Sequence, residues 1–441
     1  MFSALLVDCA QDLGVKEGGI IGSLMKKRVV ITGLGVVSPI AIGVGEFWKA
    51  ALAGRSGVTP VQGFEGLPLD AYRSRIAGQV LNFNPSAYLD PTQAERLDRY
   101  AQFGLVASKE AVADAGLRMN TENAHRVGVI VGAGMGAMTM GERELTKLYL
   151  DRKPNRVPPN FIPTITLNSA SGLIALAHGA KGPNYAISTA CSSSAHAIGQ
   201  ALVTIRTGQA DVVIVVGADA SITPLVFAGF CSLRALSTRY NDDPPHASRP
   251  FDRGRDGFVM GEGAGALILE SLPHARKRRA RIYAEVAGYA ATSEAYHMVI
   301  PREDGVEMAM TMSLALQDAQ ITPGQVDYVN AHATSTVRGD EVEIRGLRRL
   351  LKTRANKVLV NATKSLIGHT LGAAGCIAAV ATTMAIESGR VHPTLNYEDP
   401  DPECRLAGIA AKTQERRIKV ALVNAFGFGS NNASLVLTRY D

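Results

Sequence analysis

Short apolar runs alternate with stretches of helical periodicity along almost the whole of this chain. The runs at 28–33, 127–131, 211–216, 264–269, 282–286, 358–360 and 419–423 are β-branched and apolar, and each reads as a strand. Several are followed by small and apolar residues at helical spacing, so the pattern predicts an α/β fold. A further run, 184–188, reads as a buried strand that leads through a turn into a helix over 195–208. The apolar stretch 366–386 has membrane-spanning length, about 20 residues. It holds His369, several threonines and three glycines, so a helix buried in a globular core is the better reading.

Three positions in this pattern carry chemistry. Cys191, in Ser188-Thr189-Ala190-Cys191-Ser192-Ser193-Ser194, falls at a strand-to-helix turn. Unpaired amides and the positive end of a helix dipole there favour thiolate over thiol. Its small neighbours leave room for an acyl group. His332 closes the strand-like run Asp327-Tyr328-Val329-Asn330-Ala331 and is followed by a hydroxyl cluster, Thr334-Ser335-Thr336. His369 follows a second strand and turn and precedes another small-residue helix, repeating the layout around Cys191. That repetition points to an internal duplication with its junction near 271–281. The other histidines lack a comparable setting and read as hydrogen-bonded core or surface groups.

These three segments, together with Ser248-Arg249-Pro250-Phe251-Asp252, the stretch from Asp256 to Gly265 and Asn424-Ala425-Phe426-Gly427-Phe428-Gly429, resemble the β-ketoacyl-[acyl carrier protein] synthases, most of all the elongating synthase II type. The resemblance runs from about Lys26 to the C-terminus. It implies a thiolase-like αβαβα sandwich of two similar halves, 25–275 and 276–441, usually a homodimer, behind an N-terminal extension at 1–24. The activity implied is decarboxylative condensation of an acyl-carrier thioester with a malonyl-carrier thioester, lengthening the chain by two carbons. By the same resemblance Cys191 takes the acyl group, the amides of Cys191 and Phe428 form an oxyanion hole, and neutral His332 and His369 stabilise an enolate. Lys364 organises the histidines and is held by Asp340 and Glu343. Thr334 and Thr336 bind the phosphopantetheine arm, Phe428 gates the thiol, and Met135 lines the acyl pocket.

The chain departs from the family pattern at Ala333, at Val337-Arg338-Gly339 and at Ser430-Asn431-Asn432. If residue 333 needs a positive φ, alanine costs about 1 kcal/mol or more there. These departures bear on substrate preference more than on reaction type.

Composition narrows the remaining choices. The 441 residues, 46% hydrophobic, supply a large core, and a net charge of +6 favours an acidic partner such as acyl carrier protein. Arg234 resembles a family docking position, with Arg96 and Arg99 as further docking candidates. The basic run Ala275-Arg276-Lys277-Arg278-Arg279 has no interleaved aromatics and reads as a solvated helix end, not a nucleic-acid site. Five cysteines without CxxC spacing predict neither zinc nor a disulfide framework, and fit a cytoplasmic protein. Residues 1–24 carry Asp8, Asp12 and Glu17 against one lysine, a poor targeting signal, and read as a short extension or a misassigned start. The glycines around Met135 lack the spacing of a dinucleotide fingerprint, so no cofactor beyond carrier-borne phosphopantetheine is expected. Two alternatives stay open: a polyketide-type ketosynthase subunit, and a noncatalytic partner of the same fold.

Overall fold

The computed structural model describes residues 27–64, 66–119 and 123–441, so the 1–24 extension lies outside the described residues. The strands that build the site are β1 (Val29–Ser38), β2 (Val127–Gly132), β3 (Asn184–Ile187), β4 (Val212–Asp219), β5 (Gly263–Ser271), β6 (Ala284–Ser293), β7 (Tyr328–Asn330), β8 (Leu359–Asn361), β9 (Val420–Gly427) and β10 (Asn431–Thr438). They lie in the order β8-β7-β9-β10-β6-β1-β5-β4-β2-β3. Outward from the centre, each half runs through two antiparallel pairings and then two parallel ones. The halves meet where β1 and β6 pair at only Val30↔Glu285 and Ile31↔Ala284. With so short a seam the two half-sheets diverge and leave space between them.

Helices fill that space and cover both outer faces. The principal ones are α1 (Arg99–Asp114), α2 (Met138–Asp151), α3 (Ser169–His178), α4 (Ser193–Arg206), α5 (Pro224–Ser232), α6 (Val306–Asp318), α7 (Val337–Leu351) and α8 (Ala374–Ser388). Along β4, Val213 and Val215 turn inward onto α4 and α8, while Val212, Ile214 and Val216 turn outward onto α1 and α3. Side-chain alternation thus buries both faces of the strand, which is why the run is apolar throughout. On the other half, Val329, Val360, Leu422 and Val436 pack against α6 and α7. The result is five layers, helix, sheet, helix, sheet, helix, the thiolase-like sandwich expected. The apolar window Leu371–Ser388, 83% buried, lies in its central layer beside α4.

The two central helices begin almost in contact. A Cβ on Gly375 would lie 2.6 Å from the Ala195 nitrogen, and the Cys376 amide donates to Ser194 Oγ at 3.0 Å. Gly375→Ala therefore forces the helix starts apart, with an expected destabilisation of about 1–3 kcal/mol by overpacking. Urea unfolding alongside an activity assay checks this, and activity should fall further than stability because Cys191 and His369 precede those two starts.

One expectation is corrected here. The 184–188 run forms β3, but among the described residues β3 is the outermost strand, paired only with β2, and its residues are exposed to half-buried.

Candidate active site

Cys191 lies in the turn between β3 and α4, where Ala190 takes a φ of +51°. His332 lies two residues beyond β7, and His369 lies in the turn before α8. Cys191 and His332 follow strand ends closely, His369 follows β8 through the short helix Lys364–Ile367, and all three line one cavity of about 370 Å³. Thr334, Thr336 and Phe428 line the same cavity, with Arg234 and Met298 among the residues around it. The His332 and His369 rings are perpendicular, centroids 5.4 Å apart, with Phe426 against the first and Phe258 against the second. The Thr334 and Thr336 hydroxyls are 3.0 Å apart.

A cradle of buried polar groups holds His332. Glu343, from α7, accepts from the His332 amide at 2.9 Å, the Ala333 amide at 2.7 Å and Asn424 Nδ2 at 3.1 Å. Lys364 Nζ donates to the His332 carbonyl at 2.6 Å and lies 3.4 Å from Nδ1 of the same ring. An ammonium can only donate. Nδ1 is therefore the acceptor, and the proton sits on Nε2. Asp340 accepts from the Phe251 and Ser335 amides, with the Arg255 guanidinium 3.7 Å away. The expectation that Asp340 and Glu343 hold the lysine is thereby corrected. Its hydrogen bonds among the described residues go to His332, and the two carboxylates act on it through their field while fixing backbone around the imidazole.

Burial sets the protonation states. Both imidazoles are pushed well below their usual range, first by burial and then by Lys364, and stay neutral. Burial draws Lys364 down to about 8, with Glu343, Cys191 and Asp340 resisting. It pushes Asp340 up to about 7, against the pull of Arg255. The thiol departs from expectation: burial pushes Cys191 up to about 11, opposed by Lys364 and by hydrogen bonding to the amides of Phe428 and Cys191 itself. Desolvation outweighs the lysine and the two amides, so the resting nucleophile is a thiol.

Other expected residues divide. Ala333 does take a positive φ, +24°. Its buried methyl recovers about 0.8 kcal/mol of apolar burial, close to the backbone cost. Arg99 is corrected as a docking residue: its guanidinium makes bonds of 2.7 and 3.0 Å to Glu262 and stacks 4.7 Å over Phe103. Arg234 and Arg96 are exposed, Arg234 beside the cavity and Arg96 on a separate groove. Met135 does not line the cavity and is about two-fifths exposed. Arg255 was missed. Fully buried, it donates to the Thr336 and Val337 carbonyls and to Asp401 at 2.6 Å, fixing the loop that carries both threonines. Its signal was an arginine directly before a motif already singled out at Asp256. Cys231, Cys376 and Cys404 are buried and free.

Residues 26–275 match the family model described as Beta-ketoacyl synthase, N-terminal domain, and residues 283–398 match Beta-ketoacyl synthase, C-terminal domain. The chain belongs to the β-ketoacyl synthase family. This synthase is 45% identical over 418 residues to a 3-oxoacyl-[acyl-carrier-protein] synthase 2 of Synechocystis sp., covering 95% of this chain and 99% of that one. It is 43% identical over 414 residues to the protein of the same name in Coxiella burnetii, covering 94% and 99%. Among solved structures it is similar to a type II polyketide ketosynthase in complex with its acyl carrier protein, at TM-score 0.88 and 36% identity, covering 95% of this chain and 100% of that one. A beta-ketoacyl synthase from Burkholderia phymatum superposes at TM-score 0.86 with 33% identity, covering 94% and 100%. This synthase is a condensing enzyme of the acyltransferase kind.

Proposed function

We propose that this synthase elongates an acyl group borne on acyl carrier protein by two carbons, using malonyl carrier protein and releasing CO2, in fatty acid synthesis. The observation that carries the mechanism is the convergence of one buried thiol and two neutral buried imidazoles on a single cavity. Cys191 Sγ attacks the thioester carbonyl, whose oxygen gathers charge toward the amides of Cys191 and Phe428. The carbon–sulfur bond to phosphopantetheine breaks, and the departing thiolate leaves with the proton given up by Cys191. Malonyl thioester then enters. Its carboxylate departs as CO2, and the electron pair moves into an enolate whose oxygen accepts from Nε2–H of His332 and from His369. The carbanion attacks the acyl–Cys191 carbonyl, and the expelled Cys191 thiolate takes a proton from water. No step requires a base to remove a carbon-bound proton, which suits two imidazoles that stay neutral.

Decarboxylation should show the protonation states directly. It should show no limb from either imidazole down through pH 6.5, because neither gains a proton until well below that value, and any slope near pH 7 belongs to Asp340. Above about pH 8 it should fall, as Lys364 loses the proton that keeps its ammonium beside His332. Initial rates of CO2 release across pH 5–10 in wild type and in Asp340→Asn check this, and an acidic limb near 6.5 that persists in Asp340→Asn would contradict neutral buried imidazoles.

Acyl carrier protein is the proposed partner, with exposed Arg234 beside the cavity offering charge to an acidic surface. A homodimer joined along β3 is also proposed. Among the described residues no strand pairs with the outer edge of β3, and Leu176, 81% exposed, lies on neighbouring α3. Sedimentation of the purified protein tests the dimer. Mass spectrometry with a panel of acyl-carrier thioesters and malonyl carrier protein tests the activity. An acyl adduct on Cys191 plus a product two carbons longer supports elongation. Neither, across the panel, overturns it in favour of the polyketide or noncatalytic reading.

A further inference from the structure

Asp219 ends β4 with its side chain fully buried, and its bonded partners carry no charge. Oδ2 accepts from three backbone amides: Gly134 at 2.9 Å, Met135 at 3.4 Å and Gly372 at 3.1 Å. Oδ1 accepts from the Ser221 hydroxyl. The amides come from opposite halves of the molecule. Gly134 and Met135 form the turn after β2, whose Gly134 carbonyl in turn accepts from Ser188 Oγ, three residues before Cys191. Gly372 lies three residues after His369. Burying a carboxylate without a cation is costly, and an apolar residue would avoid that cost. What the carboxylate does that an apolar residue cannot is join these two turns at a single oxygen.

We infer that Asp219 is a positioning residue that clasps the turn after β2 to the turn bearing His369, and so sets where the His369 ring stands relative to Cys191. The fit leaves no slack. A Cβ on Gly372 would lie 2.1 Å from the Gly134 nitrogen, so only glycine permits the two turns to close on one carboxylate. The inference rests on the condensing-site reading above, in which His369 acts on the malonyl thioester while Cys191 acts on the acyl thioester.

Two variants open the clasp independently. Asp219→Ala removes the acceptor, and Gly372→Ala drives a wedge between the turns while leaving the carboxylate in place. Both should lower kcat for malonyl decarboxylation at least tenfold with KM within twofold, since His369 is misplaced but the pantetheine contacts are not. Asp219→Asn should restore kcat to within threefold of wild type, its carbonyl serving the three amides and its NH2 facing Ser221. Hydrogen exchange at the Gly134, Met135 and Gly372 amides should speed up in Asp219→Ala. If that variant does not fold, Gly372→Ala and Asp219→Asn decide the matter. A folded Asp219→Ala or Gly372→Ala with wild-type kcat overturns the inference, as does an Asp219→Asn no better than alanine. Wild-type protein that neither acylates nor decarboxylates overturns the condensing-site reading instead. Exchange then judges the clasp alone: amides protected in wild type and released in Asp219→Ala support it, and unchanged exchange overturns it.

Discussion

Replacing Cys191 by alanine should abolish condensation, by at least 10³-fold, while leaving decarboxylation of malonyl carrier protein within about tenfold of wild type. The split follows from the division of the site. The acyl group is held only by a bond to sulfur, whereas the enolate is stabilised by His332 and His369, which the substitution leaves in place. The thiol is small and buried, and the surrounding turn is fixed by backbone and hydroxyl contacts, such as the Thr189 amide donating to Ser193 Oγ at 2.9 Å. The cavity should keep its shape. Parallel assays of CO2 release and of product by mass spectrometry check the outcome. Residual condensation at a tenth of wild type would mean that the chain is not held on Cys191.

Lys364→Met should lower decarboxylation and condensation together, by at least 100-fold, without lowering stability. Burial draws the lysine down to about 8 from an ordinary 10.5. The sign follows: at pH 7 the unfolded state holds the ammonium more favourably than the folded state, so the charge opposes folding by roughly 3 kcal/mol. Removing it relieves that cost, and Glu343 keeps its three hydrogen-bond donors. Activity has no such compensation. The 2.6 Å bond to the His332 carbonyl and the charge beside Nδ1 are both lost, and with them the fixed tautomer that presents Nε2–H. Thermal unfolding beside the two assays checks this. A fall of several degrees in Tm would make Lys364 a structural residue first.

The layered α/β architecture was legible because strands buried on both faces, such as β4, must be apolar along their whole length, and the site was legible because its reactive groups sit at marked turns. What the chain could not show locally was burial imposed from afar. The residues of β3 read as a buried strand, and only the strand order makes them an edge. The turn at Cys191 pointed to a thiolate, and the Phe428 amide, more than two hundred residues later, pulls the same way, but burial outweighs that pull. Arg99 looked free for docking until Glu262, from another part of the fold, took its guanidinium. The resemblance implied that Asp340 and Glu343 hold the lysine, yet they hold backbone amides and leave the ammonium to the carbonyl of His332.

The start of α8 rests on the start of α4 through a glycine, with one serine hydroxyl bonding the Cys376 amide. The helix starts that follow Cys191 and His369 therefore have no cushion of side chains between them, and the spacing of these two groups loosens only with the core. Heating should not produce a folded but idle enzyme; catalysis and the core should be lost in one transition, and a protein that survives heating should survive it fully competent.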